Sequence, residues 1–299
     1  MIETIHTDTC PICKSHNIKH FIQGKEFLTT QESFNIEKCE SCGFLFTQDF
    51  PAEKHIGSYY LSDNYISHSD SRKGLFNKLY HRVRGYMLKS KAKLVEKQWA
   101  EKGTLLDIGA GTGYFANEMK QRGWQVSAIE KNPEARNFIQ KNWHIDAQDE
   151  NALSQIQQHS FQVITLWHVL EHLEHLHEIM QQLHSILHNQ GTLIIALPNA
   201  ASYDAKKYKS FWAAYDLPRH LWHFTPQTFA LLASQHQFKI VKTKRMAFDV
   251  FYICLLSEKY RGKPAGMLRA LIMALTGWIL SVFNINNTSS LIYVLKKND

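Results

Sequence analysis

The chain is short of the features that most readily assign a protein to a class. No uninterrupted apolar run reaches the roughly 20 residues of a membrane-spanning helix. The longest, 270–283, follows Arg269 and predicts a buried or interfacial helix. No apolar segment bounded by small residues follows Met1-Ile2-Glu3-Thr4, so no secretory leader is expected and the expected location is cytoplasmic. No block of like charge is long enough to read as a nucleic-acid-binding tail, although the formal charge is +7. A share of 44% hydrophobic and 20% charged residues excludes a disordered chain. Cysteine is scarce, 5 in 299 residues, which excludes a disulfide-stapled scaffold.

The few cysteines present are not scattered. Four form two Cys-x-x-Cys pairs, Cys10 with Cys13 and Cys39 with Cys42, separated by 25 residues. Two residues between thiolates let one turn aim both sulfurs at a single tetrahedral ion, and four sulfur ligands close the site to water. The expectation is a structural Zn2+ in a zinc-ribbon-like module over residues 1–55. Pro11 stiffens the first turn and Gly43 follows the second, where a positive φ is often needed. Phe21, Ile22, Phe27 and Phe34 between the pairs suffice for a hairpin but not for a core. Cys254, in an apolar stretch, reads as a buried small hydrophobe.

From residue 103 short apolar strands alternate with helical spacing. Strands are expected at 104–108, 125–129, 161–166 and 191–197. Helices are expected at 113–122, 133–142 and 173–187. A sixth strand is placed at 239–254 and a last one at 291–296. This pattern predicts a mostly parallel sheet covered on both faces, with ligands beyond the carboxyl ends of its strands. A helical, basic stretch, 75–99, is expected to join the metal module to the sheet within a 56–102 linker and to cover one side of the cleft. The sheet domain then runs 103–299, with a helical insertion at 255–288.

The first strand ends in Leu106-Asp107-Ile108-Gly109-Ala110-Gly111-Thr112-Gly113. The dinucleotide fingerprint would place its third glycine at 114, where Tyr114 stands. Glycines at these positions let backbone approach a ligand that a Cβ would strike. Glu130, ending the second strand, offers a carboxylate that can accept from both hydroxyls of a ribose. This arrangement resembles the seven-stranded class I S-adenosylmethionine-dependent methyltransferases. The segment Phe161-Gln162-Val163-Ile164-Thr165-Leu166-Trp167-His168-Val169-Leu170-Glu171-His172 is similar to the fourth-strand motif of the ubiquinone-biosynthesis methyltransferase group. The likeness spans roughly residues 103–250 and the last strand. It implies a doubly wound, Rossmann-like α/β sheet of seven strands, with S-adenosylmethionine as cofactor. It also implies a cofactor crevice built from Asp107, Gly109, Ala110, Gly111, Gly113, Tyr114, Glu130, Trp167 and His168. Asp149 is the best match for the family's adenine-contacting acid, with Asp146 or Glu150 as alternatives. A zinc module ahead of such a domain is similar to some sugar C-methyltransferases.

Methyl transfer to a protonated nucleophile needs a base. The segment Phe211-Trp212-Ala213-Ala214-Tyr215-Asp216-Leu217-Pro218-Arg219-His220-Leu221-Trp222-His223-Phe224-Thr225-Pro226 crowds acid, guanidinium, imidazole and aromatic groups into one loop. Similar segments in the family lie over the substrate, which implies His220 as base, Asp216 as its orienting acid, and substrate contacts from Trp212, Tyr215, Arg219 and His223. The blander reading ties Asp216 to Arg219 and uses His223 for packing. His172, beside the expected sulfur position, is a further catalytic candidate. His168, His172 and His175 fall at helical spacing, as do His184 and His188, but no helical carboxylate completes a metal pattern and none is expected. The expected partner is a small-molecule methyl acceptor carrying a phenolic, quinone-like or sugar hydroxyl. Rival readings are a zinc-ribbon interaction protein with an inactive domain, and a nucleic-acid methyltransferase. For 255–288 two readings stand. One is an in-plane membrane helix suited to a lipid-borne substrate; the other, favoured by its weak amphipathicity, is a helix packed on the sheet edge or a second subunit. Oligomeric state stays open.

Overall fold

The computed structural model describes residues 3–60, 75–99 and 101–298; residues 61–74 of the expected linker lie outside the described residues. The amino-terminal part contains β1 (Thr4–Ile5), β2 (Ile18–Lys25), β3 (Ser33–Cys39), β4 (Leu45–Gln48), β5 (Phe50–Pro51) and one turn of helix, α1 (Glu53–Ile56). The expected hairpin between the cysteine pairs is β2–β3. Helix α2 (Leu75–Glu96) leads into the main sheet.

That sheet is built from β6 (Thr104–Ile108), β7 (Gln125–Ile129), β8 (Asp146–Gln148), β9 (Phe161–Trp167) and β10 (Leu187–Pro198), then β12 (Phe238–Arg245) and β13 (Ser290–Lys297). The strand order is β12-β13-β10-β9-β6-β7-β8. β6 to β10 pair in parallel, and β13 lies antiparallel between β10 and β12. This is a doubly wound Rossmann-like sheet, as expected. Its interior strands read as continuous apolar runs because helices cover both faces. Three of the covering helices are α3 (Tyr114–Gln121), α4 (Pro133–Trp143) and α5 (Leu176–Ile186). α4 starts where Asn132 accepts hydrogen bonds from the Glu134 and Ala135 amides with Pro133 in the first turn. α5 buries Leu176, Met180, Leu183 and Ile186, one face at helical spacing.

Past β10 come the short α6 (Tyr203–Tyr208), β11 (Trp222–His223) and α7 (Pro226–Gln235), the last capped by Thr225 in a reciprocal arrangement with Thr228. β11 pairs with β4, so the amino-terminal sheet has the order β11-β4-β3-β2. Phe44, Phe46 and Phe50 are buried in one cluster with Trp222, Phe224 and strand residues of the main sheet. Each such side chain contributes roughly 1.5–3 kcal/mol by burial. The amino-terminal sheet thus shares its core with the main sheet.

Two sequence expectations need correction. The stretch 239–254 is not one strand: β12 ends at Arg245 and α8 (Asp249–Arg261) follows. An apolar run such as Val-Phe-Tyr-Ile-Cys-Leu-Leu suits either periodicity, and here Val250, Ile253, Cys254 and Ser257 are buried at helical spacing. Helix α9 (Gly266–Phe283) does not bury its large side chains on the sheet edge. It meets the protein through Ala270, Ala274, Gly277 and Ser281. Gly277 faces Val250 of α8 and Tyr203 of α6 at distances that leave no room for more than a methyl group. The bulky apolar side chains point outward.

Candidate active site and metal knuckles

The four cysteines converge. Cys10 and Cys42 sulfurs lie 3.6 Å apart, and Cys13 and Cys39 sulfurs 3.5 Å apart. All four fall within 4.8 Å of one another. Tetrahedral Zn2+ with bonds of about 2.3 Å would set its sulfurs about 3.8 Å apart, so the residues fit the ion. The two turns share one geometry. The Lys14 amide donates to the Cys10 carbonyl and the Gly43 amide to the Cys39 carbonyl. Lys14 and Gly43 have φ of 61° and 79°, so the positive φ expected at Gly43 has a counterpart at Lys14.

The glycine motif and Glu130 lie beyond the carboxyl ends of β6 and β7. Gly109, Gly111 and Gly113 all have positive φ, but for different reasons. A Cβ on Gly109 would come within 2.3 Å of Val169, and one on Gly113 within 2.7 Å of Ile139. At Gly111 a Cβ would meet nothing within 4 Å. Gly109 and Gly111 are both exposed and Gly113 is buried; at Gly111 the absent side chain leaves open space, whereas at Gly109 and Gly113 it makes room for the packing of the turn. Glu130 reaches this loop from the end of β7. Its carboxylate accepts from the Gly111 amide at 2.7 Å and from the Asn132 amide at 2.9 Å. Each carboxylate oxygen keeps further acceptor capacity. Asp149 follows β8, exposed, and caps the next turn through the Asn151 amide. Tyr114 opens α3, with the Arg84 guanidinium 4.1 Å from its ring centre. Trp167 lies under the Lys91 ammonium, 4.3 Å away. Helix α2, which carries Arg84 and Lys91, covers this side as expected.

A methyltransferase domain matches residues 79–243. The chain belongs to this family. The chain is 30% identical over 112 residues to an uncharacterized methyltransferase of Alkaliphilus oremlandii, covering 36% of this chain and 50% of that protein. It thus spans about half the length of this curated relative. Two solved structures share the fold. One is a SAM-dependent methyltransferase from Archaeoglobus fulgidus, 17% identical, with a TM-score of 0.50 over 79% of this chain and 100% of that one. The other is the Burkholderia thailandensis 1,6-didemethyltoxoflavin-N1-methyltransferase, solved with 1,6-didemethyltoxoflavin and S-adenosylhomocysteine, 14% identical, with a TM-score of 0.51 over 92% of this chain and 100% of that one. Identities this low speak for the fold alone.

In this methyltransferase-family chain several sequence-derived candidates sit elsewhere than the motif implied. Asp107 is buried in β6 and accepts from Thr165 Oγ1 at 2.7 Å. Burial pushes its pKa up to about 7 despite that bond and nearby Lys91. It braces two strands. His168, in left-handed backbone at φ 60°, bridges Glu171 (3.3 Å) and Asp249 (3.1 Å). Desolvation opposes its charge, but the two carboxylates prevail and raise its pKa to about 9. A residue held as an imidazolium cannot serve as a base near neutrality.

The loop 211–226 corrects the proposed acid–base pair. Asp216 gives both oxygens to Arg219, at 3.0 and 2.7 Å. It therefore does not orient His220. That role falls to the Ala214 carbonyl, which accepts from His220 Nδ1 at 2.8 Å. The bond fixes the tautomer and leaves Nε2 with a free lone pair. Arg219, 1% exposed, also donates to Glu26 at 2.9 Å and to the Tyr59 carbonyl at 2.8 Å. Trp212 is buried and donates to Asp204 at 2.7 Å. Tyr215 is buried against Trp212 and His223. His223 is buried as well, its pKa pressed well below the ordinary value by desolvation. Thr47 Oγ1 donates to the His220 carbonyl and so accepts from His223 Nε2 at 3.0 Å. Trp212, Tyr215, Arg219 and His223 are thus buried side chains, and the guanidinium, indole and imidazole among them all find protein partners. The blander sequence reading holds for Asp216, Arg219 and His223.

Sequence reasoning named His172 and His220 separately and missed that they cluster with Glu171. His172, whose Nδ1 bonds the Arg219 carbonyl at 3.0 Å and the Tyr60 hydroxyl at 3.1 Å, lies edge-on to His220 with ring centres 4.5 Å apart. Burial and the neighbouring His220 lower its pKa to about 4. Glu171 is fully buried, and its Oε2 has no hydrogen-bond partner among the described residues. Ligand atoms of Glu171, His172 and His220 lie within 4.8 Å of one another. Glu171 and His172 are adjacent in sequence, but the third member comes from a loop beyond another strand and two helices, which no spacing rule reveals.

Proposed function

We propose that this chain is an S-adenosylmethionine-dependent methyltransferase acting on a small molecule with a phenolic, quinone-like or sugar hydroxyl. The observation that carries it is the bare backbone at Gly111, open to solvent beside a prepositioned Glu130 carboxylate. Gly111 would lie against the adenosyl group, Glu130 would grip the ribose hydroxyls, and Asp149 would meet the adenine. S-adenosylmethionine, when bound, supplies an electrophilic methyl group and a neutral thioether leaving group. His220 Nε2 takes the proton from the attacking hydroxyl, and the Ala214 carbonyl stabilises the imidazolium that results. His172, held neutral, lines the same space. The four cysteines hold a structural Zn2+.

Calorimetric titration with S-adenosylhomocysteine should give saturable heat, lost in Glu130→Ala; absence of heat from the wild type would overturn the reading. His220→Ala should lower turnover by about 10²–10⁴-fold with cofactor affinity intact. The unpartnered Glu171 oxygen favours a second reading, in which Glu171, His172 and His220 hold a divalent ion that receives the acceptor's oxygen. Imidazoles whose other nitrogen bonds a backbone carbonyl are well prepared as ligands. Titration with Mn2+ should then show one saturable site removed by Glu171→Gln. No such site would leave His220 as base.

A further inference from the structure

We infer that the outer face of helix α9 docks the protein onto an anionic lipid surface, lying in the plane of the bilayer interface. Residues 266–283 are apolar and long enough to cross a membrane by length and composition, and 22% of the helix is buried. Its exposed positions include Leu268, Leu271, Leu275, Ile279, Val282 and Phe283, all on one side, with Phe283 84% exposed. From Ala270 to Phe283 the helix carries no charged residue. The opposite side is fixed to α8 and α6 by small residues, so the helix lies along the body over a length of about 27 Å. That attachment presents a lengthwise strip to a surface, which is the geometry of an in-plane helix. A soluble protein rarely leaves so large a continuous apolar strip to water.

Charge selects the occupant. Residues 239–283 hold eight lysines and arginines and only two acids, Asp249 and Glu258. Neither acid offers free negative charge at the surface: Glu258 is buried against Arg261 and Arg269, and Asp249 pairs with His168. Arg245 lies over the Trp278 ring at 5.4 Å and donates to Ser281, which puts a cation at the edge of the strip. Lys97, Lys242 and Lys244 crowd one another nearby, and desolvation together with this repulsion lowers the Lys244 pKa. A second copy docked by two-fold symmetry would bring the same cations against themselves. Acidic headgroups would neutralise them, each exposed cation gaining about 1 kcal/mol near such a surface. A cleft of about 670 Å³, lined in part by Val282, Phe283, Phe248 and Lys244, adjoins the carboxyl end of the strip.

The test is cosedimentation of the full chain with vesicles of phosphatidylcholine containing about 30% phosphatidylglycerol, at about 0.1 M salt. Binding should be strong, weaken at least tenfold without phosphatidylglycerol, and fall at least tenfold in Leu271→Glu/Ile279→Glu. Should that variant show an altered thermal midpoint, Leu268→Gln/Leu275→Gln serves in its place. Absence of sedimentation would overturn the inference. So would binding that the variants leave unchanged, or a concentration-dependent dimer abolished by Ile279→Glu without vesicle binding, which would assign the face to a second copy. None of these readouts involves methyl transfer, so the outcome is independent of the catalytic proposal.

Discussion

Gly109→Ala and Gly111→Ala should fail in opposite ways, although both residues have positive φ and stand two apart. At Gly109, φ is 67° and the new methyl would sit 2.3 Å from Val169 Cγ2 and 2.9 Å from its Cγ1. Left-handed backbone costs an alanine about 1–2 kcal/mol, and forcing a methyl group into packed surroundings adds about 1–3 kcal/mol. Restriction of the unfolded chain offsets less than about 1 kcal/mol. Gly109→Ala should therefore lose roughly 2–4 kcal/mol of stability. At Gly111, φ is 55° and the methyl meets nothing within 4 Å, so only the backbone cost of about 1–2 kcal/mol applies. That methyl projects where the adenosyl group is proposed to pass. Gly111→Ala should weaken S-adenosylhomocysteine binding at least tenfold, about 1.4 kcal/mol, while remaining the more stable variant. Urea unfolding and calorimetric titration separate the two quantities. Unchanged affinity in Gly111→Ala, or equal stability loss in both, would refute the division of labour drawn for this loop.

Three further outcomes are expected. Arg219→Met takes the cation away from Asp216 and from the buried carboxylate of Glu26, which keeps the Leu28, Thr29 and Thr30 amides, and should cost about 3–5 kcal/mol by urea unfolding, partly recovered by adding Glu26→Gln; a loss under 1 kcal/mol would contradict the burial described. His168 has a folded pKa near 9 against an ordinary 6.5, so its stabilisation is full below pH 6.5 and drains away as the pH rises through 9. The stability difference between wild type and His168→Asn, which tolerates the left-handed backbone, should shrink over that window by about 3 kcal/mol or less; a flat difference would dismiss the imidazolium. Cys10→Ser/Cys39→Ser should lose one equivalent of zinc by elemental analysis and expose the β2–β3 hairpin to proteolysis, whereas full metal content would place the ion elsewhere.

The parallel core was legible because local chemistry wrote it. Strands 104–108 and 125–129 match β6 and β7 residue for residue, since a short apolar run between glycines and a proline-led helix leaves little choice. The places of Gly111 and Glu130 were legible for the same reason, since both follow strands whose ends the alternation sets. What escaped detection depends on distant partners. Arg219 meets Glu26 across 193 positions, and a loop rich in polar groups gives no sign of which ones will find each other. The 239–254 stretch misled because a fully apolar run carries no periodicity to separate strand from helix. Helix α9 was hard to place for a different reason. Its small residues form the buried stripe, so the usual link between apolarity and burial is inverted.

The two-residue strand Trp222–His223 forms the outer edge of the amino-terminal sheet, three residues after Arg219 and two after His220. No cut near residue 55 could yield two self-sufficient pieces. The first would lose an edge strand and the cation for Glu26, and the second would shed the surface against which its loop 211–226 is moulded. Grafting the cysteine ribbon onto another enzyme would likewise require residues 219–223 to travel with it. Starving a cell of zinc should then register in the loop that carries His220, through a covering that slackens when its fastener is gone.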